Sequence, residues 1–217
     1  MSLDLVVFDL DGTLVDSLPD IASALNGALE DQGLARLTQD VVGTLVGDGI
    51  LALATRALAQ QNAPSPVTAE ELARAVWNRY VQHPCVDTRP YDEILDTLAS
   101  LRAENVPLAV LTNKPGDIAR LLLGSLGMDA LFLEIVGDGD GFPRKPDPGA
   151  LVHLMARVGA KPERTLMVGD GLPDMAVARA AGCIAVAALW GYTPRALLLE
   201  RQPDNALLSP SQLLNLP

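Results

Sequence analysis

Four short strings in this 217-residue chain bring together acidic, hydroxyl, amide and ammonium side chains at spacings that suit chemistry. The first is Phe8-Asp9-Leu10-Asp11-Gly12-Thr13. Side chains two apart on an extended segment face the same way, so Asp9 and Asp11 are expected to enter one pocket while Leu10 turns inward. Two close carboxylates divide roles readily, one ionised as nucleophile and the other protonated as general acid. The same string also suits a Mg2+ or Ca2+ site without catalysis, or a plain Asp-Gly turn. The second string, Leu111-Thr112-Asn113-Lys114-Pro115, sets a hydroxyl and an amide ahead of a helix N-terminus, a natural anion seat. Its alternative is an N-cap serving the helix alone. Lys114 precedes proline, which disfavours helical geometry and predicts that it sits on the loop. Arg144-Lys145-Pro146-Asp147-Pro148 repeats the device, and Lys114 and Lys145 are two of only three lysines in the chain, a scarcity that argues against idle surface charge. In the fourth string, Val168-Gly169-Asp170-Gly171-Leu172-Pro173-Asp174, Asp170 points into the same crevice with Asp174 four residues on. Carboxylates are the hard ligands that Mg2+ prefers. Asp174 would also suit the positive end of its helix.

Positioning these groups requires a sheet. Leu3–Phe8, Val106–Leu111, Thr165–Val168 and Ile184–Ala188 are near-continuous apolar runs, with Phe132–Val136 a weaker fifth. Such runs fit strands covered on both faces. Helical patterns lie between them: Asp92–Asn105, Pro115–Leu126 stopping at Gly127, Pro148–Val158 capped by Asp147, and one from near Asp174 to Gly182. Strands alternating with helices predict an α/β fold with a doubly wound parallel sheet, a Rossmann-like core. The alternation breaks after the first strand. Ser17 starts a helix with Ile21, Leu25 and Leu29 stacked at intervals of four and closing at Gly33. Ile50–Gln60 is a second helix, Asn62–Val67 a loop, and Thr68 with Glu71 a capping box for a third. This stretch is too long for an ordinary crossover, so residues 16–86 are expected to form a small helical cap inserted into a core of residues 1–15 and 87–217, a packed structural layer being the alternative.

Composition narrows the partners. Sixteen basic residues against 27 acidic ones give a formal charge of −11, which repels nucleic acid and anionic membrane but leaves a small anionic ligand open. Cys85 and Cys183 show no metal or redox spacing and suit reduced thiols. No Lys or Arg precedes Arg36, and the longest uncharged run, Ala180–Pro194, falls short of the roughly 20 residues a membrane span needs. A cytoplasmic protein, monomeric or a small homo-oligomer, is expected. His83 and His153 read as surface or helix-face residues rather than ligands, and Trp77 and Tyr80, a helical turn apart, as core rather than site.

Taken together, the four strings resemble the motifs of the haloacid dehalogenase superfamily of phosphohydrolases, over essentially the whole chain. Thr112-Asn113-Lys114-Pro115, Val46-Gly47-Asp48-Gly49 and Trp190-Gly191-Tyr192 resemble the bacterial members that hydrolyse phosphoglycolate; an amino-sugar phosphate such as N-acetylmuramic acid 6-phosphate is the alternative substrate, and a non-catalytic phosphate binder the reading from another class. The resemblance implies Asp9 as nucleophile, Asp11 as general acid and then base, and Thr112, the Asn113 backbone and Lys145 as phosphate ligands. It implies Mg2+ held by the Asp9 carboxylate, the Asp11 carbonyl and Asp170, with Asp174 bound directly or through water. Gly47, Asp48 and Gly49 would form a cap loop near the ester, and Lys114 would meet a carboxylate on the substrate. Position 171 is glycine where the superfamily usually has a hydroxyl residue, which bears on how Asp170 and Lys145 are positioned.

Overall fold

Leu5, Val6, Val7 and Phe8 offer water no polar side chain, and in the computed structural model, which describes residues 3–61 and 67–216, all four are buried as β1 (Leu5–Phe8). Beyond a turn the chain forms β2 (Val15–Asp16) and then, among the described residues, four helices. These are α1 (Leu18–Asp31), α2 (Gln39–Gly43), α3 (Ile50–Ala59) and α4 (Ala69–Tyr80). It returns as β3 (Arg89–Pro90), which pairs with β2. Helix and strand then alternate through α5 (Ile94–Ala103), β4 (Leu108–Pro115), α6 (Gly116–Ser125) and β5 (Glu134–Asp138). They continue through α7 (Gly149–Val158), β6 (Thr165–Gly169), α8 (Leu172–Ala181), β7 (Ile184–Ala188), α9 (Arg195–Leu199) and β8 (Asn205–Leu207).

Six strands form one sheet in the order β5-β4-β1-β6-β7-β8, with every pairing parallel. β1 lies between β4 and β6, with Val7 opposite Ala109 on one side and Met167 on the other. Leu5, Val7 and Met167 share a core with Leu151 and Leu154 of α7 and Val177 of α8. This is the doubly covered parallel sheet that the apolar runs predict. All five expected strands form. β8 was not expected, since Leu207 is its only buried residue and its place depends on the edge that β7 offers. The short helices α2 and α9 and the β2–β3 ribbon were not expected either.

One site residue is placed differently. Lys114 lies within β4 rather than on a loop, because the strand continues to Pro115. A register shift between Leu111 and Pro115 lets Pro115 pair with Asp138 of β5. Gly137 permits this close approach, as a Cβ there would stand 2.5 Å from the Lys114 carbonyl oxygen. Pro115 consequently caps α6 instead of opening it. Helix α7 begins one residue later than expected, with Pro148 rather than Asp147 at its N-cap, and Asp147 Oδ1 accepts from Gly149 N at 2.8 Å from the position before it. Among the described residues no helix is long and apolar enough to cross a membrane.

The chain divides into two compact units, one of residues up to Asp16 and from Pro90 onward, the other Ser17–Arg89. In the second unit α4 packs against both α1 and α3, and Leu25, Leu29, Leu53, Ala57, Leu72 and Val76 of these helices are buried. The capping box forms as predicted: Thr68 Oγ1 accepts from Glu71 N at 3.2 Å, and Glu71 Oε2 accepts from Thr68 N at 2.8 Å. Except for Val67, the loop expected over Asn62–Val67 lies outside the described residues. Residues 87–89 fall in this unit rather than in the core, where they were expected, and Asp16 falls in the first unit rather than in the cap. The reason for the former is Asp20 of α1, whose buried carboxylate accepts from the backbone amides of Val86, Asp87 and Thr88 and from the Thr88 hydroxyl.

Burial pushes the Asp20 carboxyl up, but the Thr88 hydroxyl and the three amides outweigh it and hold the group below the usual aspartate range. Its contribution is therefore present at neutral pH and lost as pH falls through its folded-state value. Asp20→Ala is expected to cost about 2 kcal/mol at pH 7, by leaving buried donors without an acceptor. Thermal melts of both proteins should show the difference shrinking below about pH 4; a pH-independent difference would contradict this account.

Candidate active site

The three central strands, β4, β1 and β6, end side by side, which delivers residues from distant parts of the chain to one sheet edge. Asp9 follows β1 directly, and its amide still donates to Val168 O at 2.8 Å, so its Cα is fixed by the sheet. Its Oδ1 accepts from Leu10 N at 2.7 Å and faces Lys145 Nζ at 2.9 Å. The same ammonium donates to Asp174 Oδ1 at 2.6 Å. Only 1% of the Lys145 side chain is exposed, a burial that a charge tolerates only when paired. Burial alone would lower this ammonium, but Asp174 and then Asp9 outweigh it and hold it above the usual lysine range.

Asp170 is fixed on all sides. Thr13 Oγ1 donates to its Oδ1 at 2.8 Å and accepts from its amide at 3.0 Å, while Tyr192 N donates to its Oδ2 at 2.9 Å. Two glycines make room for the group. A Cβ on Gly12, whose φ is +82°, would stand 2.4 Å from Asp170 Oδ2, and one on Gly191 would stand 2.3 Å from Asp170 Cβ. Asp174 is placed by the first turn of α8, its Oδ2 accepting from Gly171 N at 2.8 Å. Glycine at 171 therefore still positions Asp174 through its backbone. A Cβ there would meet Asp174 Oδ2 at 3.1 Å, a contact the carboxylate must yield to by a few tenths of an ångström.

Burial first, and then Asp9, push Asp170 up to about 7 and Asp174 up to about 8. Lys145 is thus favoured in its charged form while its partner Asp174 is not, since one ammonium serves two carboxylates and Asp170 adds repulsion. A divalent cation would relieve this. Oxygens of Asp9, Asp170 and Asp174 all lie within 4.8 Å of one another, a hard donor set that fits such an ion. Charge agrees: with Asp11 included, four carboxylates against Lys145 and Lys114 leave two negative charges when all are ionised.

The remaining predicted residues fall into two groups. Asp11 lies in the turn after β1, and Lys114 Nζ donates to both of its oxygens at 2.9 and 3.0 Å. Thr112 is buried at the end of β4, its Oγ1 accepting from Lys114 N at 3.2 Å. Asn113 has a role that was not predicted, because its side chain brackets the backbone of Lys145. Oδ1 accepts from Lys145 N at 2.9 Å, and Nδ2 donates to Lys145 O at 3.3 Å. Gly47, Asp48 and Gly49 belong to the other unit, where Arg56 pairs with Asp48 and donates to Leu45 O at 3.0 Å, holding the loop ahead of α3.

Sequence reasoning also missed Thr13, Tyr91 and the backbone around Tyr192 as supports. Trp190 Nε1 donates to Thr13 O at 3.0 Å, and the Tyr192 hydroxyl donates to Asp16 Oδ1 at 3.0 Å. Burial first, then Asp16, Asp170 and Asp11, raise the Tyr91 phenol well above its usual range. No local pattern could have found these supports, because it is the strand order of the folded sheet that sets the loop after β7 beside the end of β6. The rings of His153 and Phe142 are tilted towards one another with centroids 4.9 Å apart, His153 also faces Glu134, and both rings are half-buried, away from the acidic cluster's residues.

A family model described as haloacid dehalogenase-like hydrolase matches residues 3–182. A phosphoglycolate phosphatase of Haemophilus influenzae is 36% identical over 98% of this chain and 97% of its own length. One of Chromobacterium violaceum is 41% identical over 89% of this chain and 88% of its own. The crystal structure of a predicted phosphoglycolate phosphatase from Haemophilus somnus is 33% identical and superposes with a TM-score of 0.92, covering 99% of this chain and 98% of that one.

Raised carboxyl groups make the native state bind protons that the unfolded chain has already released. As pH rises from about 4 towards 8, metal-free stability is expected to fall on account of Asp170 and Asp174. A divalent cation replaces those protons, so the rise in melting temperature on adding Mg2+ should be larger at pH 8 than at pH 5.5. Thermal melts with Mg2+ and with EDTA test this; a gain independent of pH would count against a cation among these carboxylates.

Proposed function

Given that this chain belongs to the haloacid dehalogenase-like hydrolase family, we propose that it is a Mg2+-dependent phosphomonoesterase with an Asp9-linked phosphoryl intermediate and 2-phosphoglycolate as its substrate. The observation behind this reading is the Lys145 ammonium shared between Asp9 and Asp174 at a buried sheet edge. A carboxylate attacking a phosphate dianion meets strong repulsion. Two unit charges about 4 Å apart repel by roughly 4 kcal/mol at an effective dielectric near 20, and a dianion doubles that. Asp9, the Asp11 carbonyl, Asp170 and Asp174 would hold Mg2+, which would supply counter-charge and Lewis acidity.

Asp9 attacks phosphorus, forming the new P–O bond as the ester P–O bond breaks. Anchoring of Oδ1 by Leu10 N and Lys145 orients the carboxylate for this step. Asp11 gives its proton to the departing alkoxide, then takes one from the water that releases phosphate; such transfer is typically worth about 10²–10⁴ in rate. Thr112 and the Asn113 amide hold the phosphoryl oxygens, and Lys145 neutralises them. Asn113 serves twice, since its side chain also sets the Lys145 loop. The helical unit Ser17–Arg89 acts as a cap whose Gly47-Asp48-Gly49 loop selects small substrates, with closure excluding water. The working form is a cytosolic monomer or small homo-oligomer.

Hydrolysis of phosphoglycolate, N-acetylmuramic acid 6-phosphate and a set of sugar phosphates, each with Mg2+ or EDTA, tests the reading. Phosphoglycolate is expected to show the highest kcat/KM, and only with Mg2+. Lys145→Ala and Asp170→Asn should each lower kcat by roughly 10³-fold while circular dichroism stays native. Near-normal turnover of either variant in EDTA would overturn the mechanism, and a preference for the amino-sugar ester would overturn the substrate.

A further inference from the structure

The mechanism above gives Lys114 no task, yet its ammonium holds both oxygens of the Asp11 carboxylate. The lysine side chain is 6% exposed and the aspartate 14%, so the pair stands largely out of water. Such pairs seldom add net stability, because desolvating two charges offsets most of their attraction. The two backbones differ in how firmly they are held. Lys114 rises from β4, which is paired in parallel with β1 and β5, and its amide is tied to Thr112 Oγ1. Asp11 lies in a turn, joined there to Val15 by an isolated bridge. The firmer element therefore holds the ammonium, and the ammonium holds the carboxyl group. Receiving a carboxylate from the substrate would require Lys114 to release this two-oxygen partner.

We propose that Lys114 is a positioning residue for Asp11, fixing the carboxyl group where it exchanges a proton with the ester oxygen. This rests on the role given to Asp11 under Proposed function. The test compares kcat/KM, which reports steps through P–O cleavage, for three esters. Ethyl phosphate needs its leaving group protonated and bears no carboxylate, p-nitrophenyl phosphate releases a phenolate that needs no proton, and phosphoglycolate adds the carboxylate. Lys114→Met should lower kcat/KM for ethyl phosphate by roughly 10²-fold, and by about tenfold less for the aryl ester. Lys114→Arg, which keeps a two-pronged donor, should recover most of the loss. Lys114→Gln provides the same comparison if the methionine variant fails to fold. Equal losses on ethyl and aryl esters, or a loss confined to a raised KM for phosphoglycolate, would overturn the proposal. Asp11→Asn separates the two readings. If it treats ethyl and aryl esters alike, the role of Asp11 falls and the proposal with it; if it discriminates while the Lys114 variants do not, only the proposal falls.

Discussion

An ammonium as deeply buried as that of Lys145 stays charged only with anions against it, and the anions around it stay close only while a cation lies between them. Asp9 and Asp174 share that ammonium, and Asp170 crowds the same space. The arrangement is stable in one sense and unsatisfied in another. Each carboxylate accepts from an ammonium, hydroxyl or amide donor, yet burial and mutual repulsion still raise Asp170 and Asp174 far above ordinary aspartates. A site left short of positive charge in this way is prepared for a divalent ion, and the rest of the core is organised to keep it so.

Much of that organisation lies in what has been left out. Gly12 and Gly191 flank Asp170 so closely that any side chain would displace the carboxylate, and Gly169 does the same for Asp174. Close backbone approach puts amides, rather than bulky donors, against the acidic oxygens, as Tyr192 N and Gly171 N illustrate. Gathering like charges costs folding free energy, and the apolar sheet beneath offsets it. Stability and function therefore pull in opposite directions at this edge, a common outcome where sites are preorganised.

Asn113 and Lys114 show how one strand end can serve two loops. Asn113 reaches towards Lys145 and fixes that backbone, while Lys114 reaches towards Asp11. Alternate side chains of an extended segment point opposite ways, so consecutive residues divide the work without interfering. The register shift of β4 extends this division past the regular ladder.

The apolar runs, their punctuation by glycine and proline, and the four polar strings were enough to determine a parallel sheet with Asp9, Lys145, Asp170 and Asp174 at its edge. Each of those signals is local, because a strand covered on both faces cannot hide its composition and a motif after it must emerge at its end. The partnerships were decided only by tertiary structure. Nothing near Lys114 in the chain points to Asp11, more than 100 residues earlier, and nothing near Thr13 points to Asp170. Strand order creates these neighbours, and strand order depends on long-range packing that no local pattern encodes. The edge strand β8 and the tie from Asp20 to residues 86–88 have the same origin: a short polar segment takes its structure from the surface it meets.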